Sequence, residues 1–418
     1  LTKKKLKYPL EFPLGLGRFA RHLSPSLSAF PAPPHVNLSD MATQHACTEC
    51  GEEFRSRNAL FKHVRSEHRL NESHHASSSE GGDLTTQDAD GAAMYADADA
   101  AHSYIYLVGG RQRGRTLMNC ERLSLGRGVW EKAPLLLENR GSLGAAGLGN
   151  CVYAVGGGGV SHGEVYTCPG TSAERLVVAA HAPDDGDDRS GGTETAAANG
   201  SWSYTASMAT PRHALATVAM PETNSIYAIG GWISPHCTSA VERYDPSADT
   251  WVECASLHTA RRLHSAAVCA GKIHVFGGST ADAHDICSTE VYDPASDTWS
   301  PSADLPLGAA NACATVGRYV YVALFARTML RYDPATDSFE ALSKLPLPEW
   351  HCFSMVSGGP TSRFAYLIGG ATKGAWTGAC FRYDTHSDTY FELAPAPTER
   401  RRSAAVLVRT PGGGGRSG

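Results

Sequence analysis

The chain of 418 residues carries a net charge of −5 and a sequence pI of about 6.4. That length holds two or three average domains, or one long repeat array with additions. The near-neutral balance excludes a global electrostatic pull on nucleic acid, so such binding needs a local patch. No apolar run is long enough to cross a bilayer as a helix.

Residues 1–44 read as a disordered or non-native extension. Lys3, Lys4, Lys5 and Lys7 are followed by a stretch rich in Ser and Pro, and Met41 offers a natural start. An organelle transit segment is the alternative reading.

Residues 45–70 are compact in their chemistry. Cys47 and Cys50 flank two residues, and after twelve more come His63 and His68. Two thiolates on a tight turn and two imidazoles about one helical turn apart complete a tetrahedral zinc shell. Phe54 and Leu60 supply a minimal core, and Asn58 to Val64 should be helical. So short a unit cannot fold on buried area alone. The metal supplies on the order of 10–16 kcal/mol. All four ligands and both core positions resemble the two-Cys, two-His zinc finger family. The resemblance implies a small ββα unit holding one structural Zn²⁺. Its base-reading positions would be Ser56, Ala59 and Lys62, a poor set for sequence readout. Arg55, Arg57, Lys62 and Arg65 are the candidate nucleic-acid contacts, offset by Glu49, Glu52, Glu53 and Glu67. One finger reads about three base pairs, so protein or RNA contact is favoured over specific DNA binding. Residues 71–101 have linker composition.

From Tyr104 onward a pattern recurs. An apolar run ends in paired glycines at Gly109-Gly110, Gly156-Gly157, Gly230-Gly231, Gly277-Gly278 and Gly369-Gly370. A sixth copy, Tyr319 to Phe325, lacks them. Successive steps are 47, 74, 47, 47 and 45 residues. After each pair in the later copies comes Tyr-Asp-Pro-x-x-Asp-x-Trp or a close variant, as in Tyr244 to Trp251 and Tyr292 to Trp299. Asp-Pro starts a turn, because Pro presets φ and Asp accepts backbone N–H groups.

Double glycine, then Tyr and Trp, at a period near 50 resembles the kelch repeat. The resemblance covers about three quarters of the chain. It implies an all-β fold: a six-bladed kelch β-propeller over 102–410, with one four-stranded blade per repeat, Tyr and Trp wedged between blades and buried strands before the glycines. Residues 397–408 have the pattern of an innermost strand, which the first blade lacks, so a C-terminal strand should close the ring. The long step places an acidic insertion at 167–200, between Glu164-Val165-Tyr166 and Trp202. Residues 411–418 form a disordered tail.

Arginine recurs where innermost strands begin: Arg140, Arg212, Arg261 or Arg262, and Arg401 or Arg402. In kelch adaptor proteins this position lines a pocket for acidic peptide motifs, so the resemblance implies a cationic channel rim here. The alternative role is bridging neighbouring blades. His213, His264 and His351 lie close by and read as isolated histidines.

A macromolecular binding or scaffold protein is the leading reading, with the propeller holding an acidic protein segment and the finger a second partner or nucleic acid. The alternatives are a nucleic-acid-associated regulator, a substrate-recognition component of a ubiquitin ligase, and a propeller enzyme. No nucleophile motif or phosphate loop supports the last. Ten cysteines outside the finger, scattered through strand-like runs, point to a reducing compartment, cytoplasm or nucleus.

The finger needs metal and the propeller does not. Cys47→Ser or His63→Ala should abolish zinc in elemental analysis and leave the main thermal transition in place. Cooperative melting of the propeller on chelation would break the two-module division.

Overall fold

Apolar runs that stop at a glycine pair form the second strand of five blades, and Tyr319–Leu324, without the glycines, forms it in the other. In the computed structural model the described residues are 45–46, 53–54, 102–158, 170–178, 200–282, 285–307, 310–325, 327–347, 349–372 and 375–410. The chain divides into compact units 1–82 and 83–418. In the first, His45–Ala46 pairs antiparallel with Glu53–Phe54, His45 opposite Phe54. The ligand positions Cys47, Cys50, His63 and His68 lie outside the described residues, as do Arg55, Arg57, Lys62 and Arg65, the linker and the tail.

The second unit is a six-bladed β-propeller. Each blade is a four-stranded antiparallel sheet. Blades two to six start from innermost strands Gly144–Leu148, Ala216–Met220, Ser265–Cys269, Ala310–Val316 and Ser354–Ser357. Blade one takes Ala404–Arg409 as its innermost strand, paired along Ser103–Val108 with Ser103 opposite Arg409. Closure by a C-terminal strand, expected from the sequence, is therefore found. The innermost strands pack side by side in an unbroken circle. Their middles wall a channel with Gly147, Val218, Ala267, Ala314, Met355 and Val406.

The core lies between blades. Six buried apolar clusters each take side chains from two neighbouring blades. The repeated Tyr, Asp and Trp stitch the same joints. Asp249, at φ 50°, accepts the Tyr244 hydroxyl at 2.7 Å and the Ala206 N–H of the preceding blade at 2.8 Å. The Trp251 indole N–H donates to the Ala206 carbonyl at 2.8 Å. Asp297 and Trp299 repeat this on Ala255. Trp130 carries the stitch across the closure to the Ala394 carbonyl at 2.8 Å. The first Asp of the motif makes the turn, with Asp245 accepting the Ser247 N–H at 2.8 Å.

One boundary is corrected. Residues 167–200 are not a single insertion, because Ala173–Val177 is the third strand of blade two, paired with Cys151–Val155 and Trp202–Thr205. The extra residues fall on both sides of it. Glu164-Val165-Tyr166 imitates a third strand in sequence, but the third-strand place is filled by 173–177.

Truncation before Pro397 should expose the edge of Ser103–Val108, and open edges associate. Size-exclusion chromatography of a chain ending at 396 should show aggregates or a lowered melting temperature. A monomer with unchanged melting would remove the closing role from Ala404–Arg409.

Candidate functional site at the channel mouth

The loops between second and third strands share one face with the entries to the innermost strands. Short backbone bridges prove the proximity: His213 with Trp232, Arg262 with Ser279, His351 with Ala371 and Arg111 with Arg401. On this face the arginines separate into two groups.

Arg140, Arg212 and Arg261 do not face the channel, against the sequence expectation. They are 2%, 0% and 0% exposed, and Arg400, not singled out from sequence, is also at 0%. Each is ion-paired to a glutamate on the third strand of its own blade: Arg140 with Glu174 at 2.7 Å, Arg212 with Glu242 at 2.5 Å, Arg261 with Glu290 at 2.6 Å and Arg400 with Glu121 at 2.9 Å. Buried charge requires such pairing. Desolvation draws Arg212, Arg261 and Arg400 below the ordinary arginine range, and each glutamate opposes it. The glutamates also hold the chain arriving from the previous blade. Glu242 accepts the Ala209 and Thr210 N–H groups, and Glu290 those of His258 and Thr259.

The glycine pairs complete this latch. Arg212 donates to the Gly230 carbonyl at 3.1 Å, and Gly231 donates to the Arg261 carbonyl of the next blade at 2.8 Å. A Cβ on Gly230, where φ is +55°, would stand 2.7 Å from that Arg261 oxygen. Hence glycine is required there. In blade six Trp350 replaces the arginine and Phe381 the glutamate, their rings 5.6 Å apart, while the indole N–H donates to the Gly369 carbonyl at 2.7 Å. The apolar pair fills the same slot and keeps the backbone contact.

Arg262, Arg401 and Arg402 follow the latch by one or two residues and are partly exposed. None has a carboxylate partner among the described residues. Each has a buried Nε without a hydrogen-bond partner. Arg262 lies 3.9 Å over the Trp232 ring, and Arg401 4.5 Å over Trp376. Such stacking holds a guanidinium without neutralising it. Burial, followed by the charges of Arg111, Arg402 and Arg262, lowers His213 to about 4. Burial lowers His264 to about 3, aided by Arg261. Neither carries charge near neutral pH. Beside it lies a cavity of about 340 Å³ lined in part by Ser142, Leu215, His264, Phe325, Arg401 and Arg402.

The profile of the Kelch motif matches residues 223–258 and 260–306. The first range holds the outer three strands of blade three, and the second holds blade four, so the kelch motif is matched in these two blades. The chain is 30% identical over 189 residues to Kelch-like protein 35 of Mus musculus, covering 44% of this chain and 31% of that protein. It is 38% identical over 68 residues to Kelch-like protein 35 of Homo sapiens, 16% and 11% of the two chains. The match thus spans less than a third of either relative. Among solved structures, YjhT superposes at a TM-score of 0.48 with 14% identity, covering 64% of this chain and 87% of that one.

The two arginine groups should separate in experiment. Arg212→Ala leaves Glu242 buried without its partner and should cost about 3–5 kcal/mol in denaturant unfolding. Arg402→Ala should stay within about 0.5 kcal/mol of the parent. Equal small effects would refute the structural role of the buried pairs.

Proposed function

We propose that this protein is a binding module, not an enzyme, and that its channel mouth holds an acidic segment of a protein partner on Arg262, Arg401 and Arg402. One observation carries the reading: three arginines at one mouth have no carboxylate partner among the described residues, although every fully buried arginine of the ring has one. A partner's Asp or Glu side chains supply the missing acceptors, and bidentate geometry suits a guanidinium. The kelch repeats of blades three and four support a protein partner.

The N-terminal unit is proposed to hold one structural zinc on Cys47, Cys50, His63 and His68 and to contact a second partner or nucleic acid. The pairing of His45–Ala46 with Glu53–Phe54 supports this, since in sequence the two strands bracket both cysteines. Nine free cysteines among the described residues support a reducing compartment, cytoplasm or nucleus.

Each desolvated arginine contact to a carboxylate contributes about 1.5–3 kcal/mol. Arg262→Ala with Arg402→Ala should weaken an affinity-purified partner at least tenfold and flatten its salt dependence, with the melting temperature unchanged. A partner retained at full affinity would place the binding surface elsewhere.

A further inference from the structure

Blade five breaks the pattern of the mouth. In blades one, three, four and six the loops between second and third strands run over 109–119, 230–240, 277–288 and 369–379. In blade five that loop is only 325–327, between Tyr319–Leu324 and Thr328–Asp333. Of these five blades, the connection is shortest there. The residue at the gap is Phe325, 44% exposed, and Leu263 of blade four is 37% exposed. The Phe325 ring stacks on His351 of blade six, centroids 6.0 Å apart and planes at 27°. All three side chains line the same cavity as Arg401 and Arg402. The cavity also holds Leu143, Leu215 and Phe353, and the buried Ser142 hydroxyl, which has no hydrogen-bond partner.

A soluble protein rarely leaves large aromatic and aliphatic side chains open beside unpaired cations without a ligand that meets both. We propose that the mouth recognises a carboxylate adjoining an aromatic or bulky apolar group, with blade five as the side entrance. The carboxylate sits on Arg401 and Arg402, within reach of the Ser142 hydroxyl. The apolar group lies on Phe325, Leu263 and the face of His351. The three-residue loop leaves room for the rest of the ligand to pass out over blade five. This inference rests on the reading of the mouth as an acidic-ligand site and adds an apolar requirement to it. The same chemistry is carried by an acidic residue next to Phe, Tyr or Leu in a protein segment, or by a free arylacetic acid.

Ligand-observed NMR titration of the full chain tests it with acetyl-Phe-Glu-amide, acetyl-Ala-Glu-amide, acetyl-Phe-Gln-amide, phenylacetate and phenylacetamide. The Phe-Glu peptide should bind at least fivefold tighter than either the Ala-Glu or the Phe-Gln peptide. Phe325→Ala should abolish the first difference alone, and Arg402→Gln the second alone. Phenylacetate exceeding phenylacetamide by the same margin, with the peptides silent, would assign the site to a free acid and still support the chemistry. Equal binding of Phe-Glu and Ala-Glu, both weakened by Arg402→Gln, would overturn the apolar requirement and leave the acidic reading standing. Insensitivity of every probe to Arg402→Gln would overturn both. Phe325 is exposed at a loop, so its loss should not disturb folding, and an unchanged melting curve confirms that.

Discussion

The ring depends on a relay between buried guanidinium groups and paired glycines. Trp350 donates to Gly369, Gly370 donates to Arg400, and the sequence repeats through Gly109, Arg140, Gly156, Arg212, Gly230 and Arg261 to Gly277. The side-chain steps lie within a blade and each glycine N–H joins it to the next through an arginine carbonyl, so blade angles are set by hydrogen bonds as well as by apolar packing. Every guanidinium in it is desolvated, which is tolerable only because a glutamate and two carbonyls receive its protons. Leu324-Phe325 stands in place of the glycines in blade five, where the connection between second and third strands is also only 325–327.

The same chemistry explains why adjacent arginines differ in role. Arg261 and Arg262 are neighbours, as are Arg400, Arg401 and Arg402, yet the first of each run is sealed and the others reach the mouth. Alternation separates Arg261 from Arg262 and Arg400 from Arg401, and the left-handed backbone at Arg402, φ 54°, breaks the alternation that would return it to the side of Arg400. A guanidinium committed to a glutamate and to carbonyls is sealed from a ligand by burial. One stacked on Trp232 or Trp376 keeps its charge and its outward donors. Stability and recognition are thus divided between consecutive residues of one residue type.

The sheets, the repeat boundaries of most blades and the closing strand were legible because glycine pairs, Asp-Pro turns and apolar runs each carry their conformational reason in the residue itself. The arginine register was not, because three consecutive arginines contain no local sign of which is buried. A signal did exist elsewhere. Glu121, Glu174, Glu242 and Glu290 each take the second position of a third strand, paired beside a largely apolar second strand, and a buried acid needs a cation. Blade two misled for a related reason. Its third strand, Ala173–Val177, lacks the Tyr-Asp-Pro ending, whereas Glu164-Val165-Tyr166 offers a partial copy. Leu263, Phe325 and His351 lie far apart in sequence and meet only through the ring, so no reading of spacing could assemble them.

The pairing of Ala404–Arg409 with Ser103–Val108 has a consequence for synthesis. The two strands of blade one are separated by nearly the whole propeller in chain order. At ribosomal rates of about 5–20 residues per second, the earlier strand waits roughly 15–60 s for its neighbour to emerge. Through that interval the nascent chain carries an uncovered Ser103–Val108 edge and an incomplete apolar joint with blade six. A slow ribosome or a crowded polysome lengthens that exposure, and strand exchange between two neighbouring nascent chains would use the same hydrogen bonds as correct closure.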